Sequence, residues 1–219
     1  MINCNPISFT NYGALLARVP DNVFAILKNE INEIRENINS DDYKKANRDL
    51  AGNIEKEFYL KKSMDSMEPV VLDIAEQYIK YFDFNKKIPN ISGITSTQEY
   101  KLGDLWVNFQ KKHEFNPLHW HSGIFSFVIW VNIPYDIKEE LSLDNSKNSN
   151  IPMTTAFNFV YTDVLGEMQV HAMFAEKMHE GGLLFFPAKL NHQVWPFYTS
   201  EDYRITVSGN IFLKEKENK

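Results

Sequence analysis

Three histidines have the residue type and spacing for metal chemistry. His119 and His121 flank Trp120, and His192 follows about seventy residues later. Residues two apart on an extended backbone point to the same face, so His119 and His121 can offer two imidazoles to one metal. His192 comes just after the apolar run Gly182, Leu183, Leu184, Phe185, Phe186, Pro187, which suits a third ligand arriving from a neighbouring strand. The competing reading of each histidine alone is a polar residue at a sheet edge or stacked on aromatics. The pair together with a distal third residue favours a metal site.

A second pattern lies in 203–213. Arg204, Thr206, Ser208 and Asn210 share one face of this strand, and Ile205, Val207 and Ile211 share the other. Plain amphipathicity would turn the polar stripe to water. Three of its four residues are short and uncharged, an unusual solvent face for a chain rich in Lys and Glu. Facing inward, the same stripe would line a polar pocket. Arg204 would then offer a planar fork to a carboxylate, with the Thr206 hydroxyl one side-chain period deeper. An arginine twelve residues after the distal histidine points to a carboxylate-bearing co-substrate.

These residues need strands to hold them, and the back half of the chain supplies the pattern. From about residue 102 the period is two: Leu105, Val107 and Phe109 alternate with Asp104, Trp106 and Asn108. The near-continuous apolar run 125–133 marks a strand covered on both faces. Further strands are expected at 156–162, 168–175, 183–186, 192–197 and 203–213. Seven or eight short strands without intervening helices predict a double-sheet jelly roll. The polar, unpatterned stretch 144–150 reads as a mobile loop between two strands.

The front of the chain is helical in period. Asp21, after Pro20, is placed to cap a helix with Phe24, Leu27, Ile31, Ile34 and Ile38 on its apolar side. Lys28, Glu30, Glu33 and Arg35 form the solvated face. Asp65 or Ser66 opens a second helix with Pro69 in its first turn and a stripe of Val70, Ile74, Tyr78 and Tyr81. Segment 50–60 reads either as a short helix or as a loop packed on the sheet. The expected organisation is a helical region over 1–98, a β core over 99–213 and a disordered tail over 214–219.

Composition narrows the function classes. A chain of 219 residues can bury a sizeable core as one domain. The formal charge of -6, without a dominant basic run, disfavours sequence-independent nucleic-acid binding. The single cysteine, Cys4, excludes an internal disulfide and a thiolate-rich metal site. No signal peptide or membrane-length apolar run is visible, so the expected location is cytoplasmic, in the host cytoplasm if the chain is viral. The amphipathic front helix would serve a homodimer as well as its own core.

The segment Phe115, Asn116, Pro117, Leu118, His119, Trp120, His121, Ser122, Gly123, the run Phe127 to Trp130, and Gly182 to Pro187 leading to His192 resemble the iron(II)- and 2-oxoglutarate-dependent oxygenases. The nearest resemblance is to a branch frequent in bacteriophage genomes. It covers 102–213, about half the chain. It implies a double-stranded β-helix behind N-terminal helices, with iron(II) held by a His-x-Asp/Glu pair and a distal His. It further implies 2-oxoglutarate anchored by an Arg with a nearby Ser or Thr. His119 and His192 take the two histidine positions, and Arg204 with Thr206 the anchor. Asn108, sharing a face with Trp106, is a further candidate for contacting the co-substrate. The implied reaction couples oxidative decarboxylation of 2-oxoglutarate by O2 to hydroxylation of an unactivated C–H bond in an unidentified substrate.

His121 stands where the family usually places a carboxylate. Ligation by His119, His121 and His192 would raise the charge of the iron centre by one unit and strengthen its pull on an anionic co-substrate. Alternatively one of the pair ligates and Asp163, Glu167 or Asp104 supplies the carboxylate, leaving the other histidine as a hydrogen-bond partner. His171, His179 and His113 read as structural or solvated. Trp106, Trp120, Trp130 and Trp195 would line a substrate pocket or the core. Segment 137–150 is expected to close over the substrate. Two competing functions remain. A cupin-type dioxygenase or isomerase without 2-oxoglutarate would use the same histidines, but cupins place a Glu soon after the pair, where this chain has Ser122, Gly123, Ile124 and Phe125. A non-enzymatic jelly-roll binding or virion-associated protein would need none of them.

Overall fold

The computed structural model describes residue 5 and residues 12–40, 42–84 and 99–214. Ten strands and three helices lie in these stretches. In chain order they are β1 (Leu15–Arg18), α1 (Asp21–Glu36), β2 (Lys56–Tyr59), α2 (Met64–Phe82), β3 (Tyr100–Gln110), β4 (Asn116–His119), β5 (Phe125–Asn132), α3 (Ile137–Ser142), β6 (Phe157–Thr162), β7 (Met168–Met173), β8 (Gly182–Pro187), β9 (His192–Val194) and β10 (Arg204–Leu213). No helix among the described residues is long and apolar enough to cross a membrane. The expected tail over 214–219 lies outside the described residues apart from Lys214.

The strands form two antiparallel sheets, one of six in the order β1-β8-β5-β10-β3-β2 and one of four in the order β4-β9-β6-β7. Neither sheet closes or curls on itself, so the expected double-stranded β-helix or jelly-roll barrel is not formed and the fold is mixed α/β. The reason is local. Strand number and alternation are common to barrels and to stacked open sheets, and they say nothing about what ends a sheet. Here the six-stranded sheet ends in two four-residue strands, β1 and β2, both drawn from the region that reads as helical.

Alternation along the large sheet builds two interfaces. Leu105, Val107, Phe109, Phe125, Phe127, Ile129, Val131, Ile205 and Val207 face one side and pack against α1 and α2. Val128, Trp130, Leu184 and Phe186 face the other and meet Phe157 and Phe159 of the small sheet. The rows of polar residues on that second face, from β3 and β10, line the space between the sheets.

The helices differ from the sequence reading in detail. Pro20 rather than Asp21 occupies the N-cap of α1, and Asp21 is its first helical residue. Glu30 is buried rather than solvated: its carboxylate accepts from the Lys61, Lys62 and Ser63 backbone N–H groups and the Ser63 hydroxyl, at 2.6–2.9 Å. It thereby fastens α1 to the start of α2, which begins at Met64 after Ser63 rather than at Asp65 or Ser66, and leaves Pro69 beyond the first turn. The buried stripe of α2 is Met67, Val71, Ile74, Ala75 and Tyr78, with Tyr81 exposed. Segment 50–60, untyped by pattern, contains edge strand β2.

Candidate metal centre and its pocket

Strand pairing brings the three histidines together. His119 ends β4, His192 begins β9, and the two are direct partners across the ladder, so their side chains rise side by side. His121 lies just past β4, tied by its N–H to the Ala188 carbonyl at 2.8 Å. Gly123 then turns the chain from the small sheet into β5. Its φ of +91° and a Cβ that would sit 2.7 Å from the Ile211 carbonyl oxygen make glycine the only residue that fits.

The ligand atoms of His119, His121 and His192 all lie within 4.8 Å of one another, the one such cluster of metal-ligating residues among the described residues. Carbonyl contacts assign the ring protons. His119 Nδ1 lies 2.7 Å from the Pro117 carbonyl and His192 Nδ1 lies 2.9 Å from that of Leu190. Each Nδ1 carries the proton, because a carbonyl only accepts, and each Nε2 keeps its lone pair. His192 Nε2 and His121 Nε2 are 3.2 Å apart. That is the separation expected of imidazole nitrogens that each approach one cation at about 2.1 Å.

The surroundings favour uncharged rings. His192 stacks on Phe157 at 5.4 Å with 12° between planes, with Phe186 edge-on at 4.9 Å. Burial is the first cause holding all three histidines below their ordinary value. For His121 burial and the neighbouring His119 bring it down to about 3. Burial, and after it both other rings, hold His192 well below its ordinary value. Neutral imidazole is the form that ligates metals.

The polar stripe of β10 faces inward, as its composition predicts. Arg204, Thr206 and Ser208 line the same pocket as the three histidines, with Asn108 and Gln110 of β3 beside them. Arg204 is 2% exposed. Its Nε and Nη2 donate to Gln110 Oε1 at 3.0 and 2.7 Å, Nη2 to the Trp195 carbonyl at 2.7 Å, and Nη1 to the Thr155 carbonyl at 3.1 Å and Tyr135 hydroxyl at 3.2 Å. Every partner is neutral. Among the described residues no carboxylate pairs with this cation. Asn108 Nδ2 donates to Thr206 Oγ1 at 3.1 Å, which leaves the threonine hydroxyl free to donate elsewhere.

None of the proposed alternative carboxylates reaches the cluster. Asp163 caps the β6–β7 hairpin, accepting from Leu165, Glu167 and Gln169, and those hydrogen bonds hold it below the usual carboxylate range. Asp104 and Glu167 are exposed. His171 is exposed on β7, His113 is exposed at φ 70°, and His179 Nδ1 accepts from the Glu176 N–H. Trp106 and Trp130 line the pocket, whereas Trp120 and Trp195 are exposed. Segment 137–150 is not a free loop. It contains α3, whose buried Glu140 accepts from the Tyr198 and Thr199 N–H groups and the Thr199 hydroxyl at 2.7–3.0 Å. Sequence reasoning missed Gln110, Tyr135, Thr155 and Glu57. Gln110 was within reach, because it continues the Trp106 and Asn108 face.

Residues 104–210 match the sequence model of a family described as "Putative 2OG-Fe(II) oxygenase". Among solved structures, a Pseudomonas putida prolyl-4-hydroxylase is similar at a TM-score of 0.55 and 11% identity, over 93% of this chain and 94% of that one. EvdMO1 is similar at 0.54 and 13% identity over 94% of this chain, which spans about half, 49%, of that one. No curated protein sequence matches the chain. Residues 104–210 are thus similar to a 2-oxoglutarate- and iron(II)-dependent oxygenase family, the two solved structures share the fold, and nothing narrows the likeness to a bacteriophage branch.

Proposed function

We propose that the protein is an iron(II)- and 2-oxoglutarate-dependent oxygenase that hydroxylates its substrate. The observation that carries this reading is the meeting, in one pocket, of three neutral imidazoles and a buried arginine without a counter-charge. The donor set fits such a cation. Backbone carbonyls fix two ring tautomers, and all three rings can present lone pairs to one point. His119, His121 and His192 would hold iron(II). When bound, the metal and 2-oxoglutarate supply the oxidising equivalents for C–H hydroxylation.

The remaining work belongs to the chain. Arg204 would bind the carboxylate of 2-oxoglutarate remote from the metal, since a buried guanidinium surrounded by neutral acceptors gains most from an anion. Thr206, its oxygen already taking a hydrogen bond from Asn108, would donate its own proton to that carboxylate. Gln110 and the Trp195 and Thr155 carbonyls hold the guanidinium in place, which fixes the co-substrate's direction before it binds. Trp106, Trp130, Phe157 and Phe186 exclude water from the reacting end.

Anaerobic titration of the metal-free protein with iron(II) and 2-oxoglutarate tests this reading. A visible charge-transfer band that requires both components and disappears in Arg204→Ala is the expected result. Iron binding without a band would favour a metal-dependent dioxygenase that uses no 2-oxoglutarate. Failure to bind iron would overturn the oxygenase reading.

A further inference from the structure

The pocket holds a second buried charge that the oxygenase reading leaves unused. Glu57, on edge strand β2, is 1% exposed and lines the same cavity as the histidines and Arg204. Strand register places it in a cross-strand row: Glu57 faces Asn108, and Asn108 faces Thr206. Two strand spacings, about 10 Å, separate β2 from β10. The carboxylate and the Arg204 guanidinium therefore stand at different sides of one cavity rather than as a pair.

Glu57 has almost no support from the protein. Among the described residues the one hydrogen bond to its carboxylate comes from Asn47 Nδ2, at 3.3 Å, and that amide makes a shorter bond, 2.7 Å, to the Ile54 carbonyl. The charged neighbour is another acid, Glu114. Two further buried acceptors close by, Asn108 Oδ1 and Asn116 Oδ1, have no partner among the described residues. Gly52 keeps this corner open, because a Cβ there would fall 2.4 Å from Asn116 Oδ1 and 2.9 Å from Glu57 Oε1. A carboxylate kept only for structure is normally given donors, as Glu30 and Glu140 are in this protein. Glu57 instead belongs to a group of acceptors facing a cavity.

We propose that Glu57, with Asn108 and Asn116, forms a subsite for a cationic group of the substrate, an ammonium or a guanidinium. Such a group brings three to five N–H donors and a positive charge to acceptors that lack both. Leu50, Ala51 and Gly52 line the pocket together with Glu57 and the three histidines, so a cationic group held at Glu57 shares one cavity with the histidine cluster. This assignment rests on reading that cluster as the oxidation centre, but the binding it predicts does not depend on metal.

The test is an NMR titration of the metal-free protein at pH 8.5 with three probes of one shape: n-butylguanidinium, n-butylammonium and neutral n-butylurea. At least one cation is expected to bind wild type, to shift the amides of Glu57 and Asn108, and to bind Glu57→Gln at least tenfold more weakly. Butylurea is expected to bind at least tenfold more weakly than that cation. The stronger cation identifies which basic group the subsite takes. Gly52→Ala, which sets a methyl against the same oxygens, is a second variant expected to lose binding. Equal binding of butylurea, unchanged binding to both variants, or no binding of either cation to wild type would overturn the subsite. A failed iron titration would leave these results standing and overturn only the oxygenase reading.

Discussion

Arg204 and Gln110 are partners across the β10–β3 ladder, and Gln110 Oε1 receives both Nε and Nη2 of the guanidinium, at 3.0 and 2.7 Å. A neutral amide oxygen thus occupies the position where a buried arginine would ordinarily meet a carboxylate. The cation is oriented but left uncompensated, the state that an incoming anion exploits. Gln110→Glu would supply the missing charge from within. The variant should fold, with a thermal midpoint equal to or above that of wild type. Its affinity for 2-oxoglutarate, measured by calorimetry with iron(II) present, should fall at least tenfold. Undiminished affinity would show that Arg204 is not the anchor.

His121 sits 3.2 Å from His192, nitrogen to nitrogen. His121→Asp exchanges a neutral ligand for an anionic one and lowers the net charge of the centre by one unit. Iron should still bind, because the two carbonyl-oriented rings of His119 and His192 are untouched. Affinity for the dianionic co-substrate should drop several-fold. His192→Ala should instead lose iron altogether. Equal loss of iron in both variants would indicate that the pocket admits an imidazole, but not a shorter carboxylate, at this position.

What the sequence disclosed and what it concealed divide along physical lines. The His119, His121 pair and the stripe of Arg204, Thr206 and Ser208 were legible because side chains on a strand alternate with a period of two, whatever the strand pairs with. His192 was legible from the apolar strand before it. The arrangement of the sheets was not, because the same strands can close a barrel or stack as open sheets, and register and edges decide between them. Edge strand β2 carries only four residues, too few for a period to emerge from charged surroundings, and Glu57 went unseen with it. Glu140 was hidden for a related reason. In a polar stretch an acidic residue reads as solvated, and only tertiary contact with Tyr198 and Thr199 makes it an anchor.

That anchor should be measurable. Glu140 is fully buried, and its carboxylate satisfies two backbone N–H groups and one hydroxyl. Glu140→Ala removes the acceptor and leaves those donors unpaired, a loss of about 2–4 kcal/mol. Urea unfolding should show it as a lower midpoint with an unchanged slope. Hydrogen exchange in 137–150 and at Tyr198 and Thr199 should accelerate beyond what the global loss explains. A change under 0.5 kcal/mol would mean that segment 137–150 is held by other contacts.

Glu57 gives stability a pH dependence of a definite sign. Burial, and secondarily the nearby Glu114, raise its carboxyl from the ordinary 4.5 to about 7. Between these values the folded chain keeps a proton that the unfolded chain has released, so stability falls as pH rises through the window. The penalty is absent below about 4.5 and complete above about 7. Glu57→Gln cannot ionise and escapes it. At pH 8 the variant should therefore exceed wild type by about 1–3 kcal/mol in urea unfolding. At pH 4 the two should coincide. A saturating butylguanidinium or butylammonium probe should close part of the gap at pH 8, because it stabilises only the wild-type carboxylate. Coincident curves at pH 8 without any probe would mean that the folded protein already compensates the charge, and the pocket would then have no use for a cation.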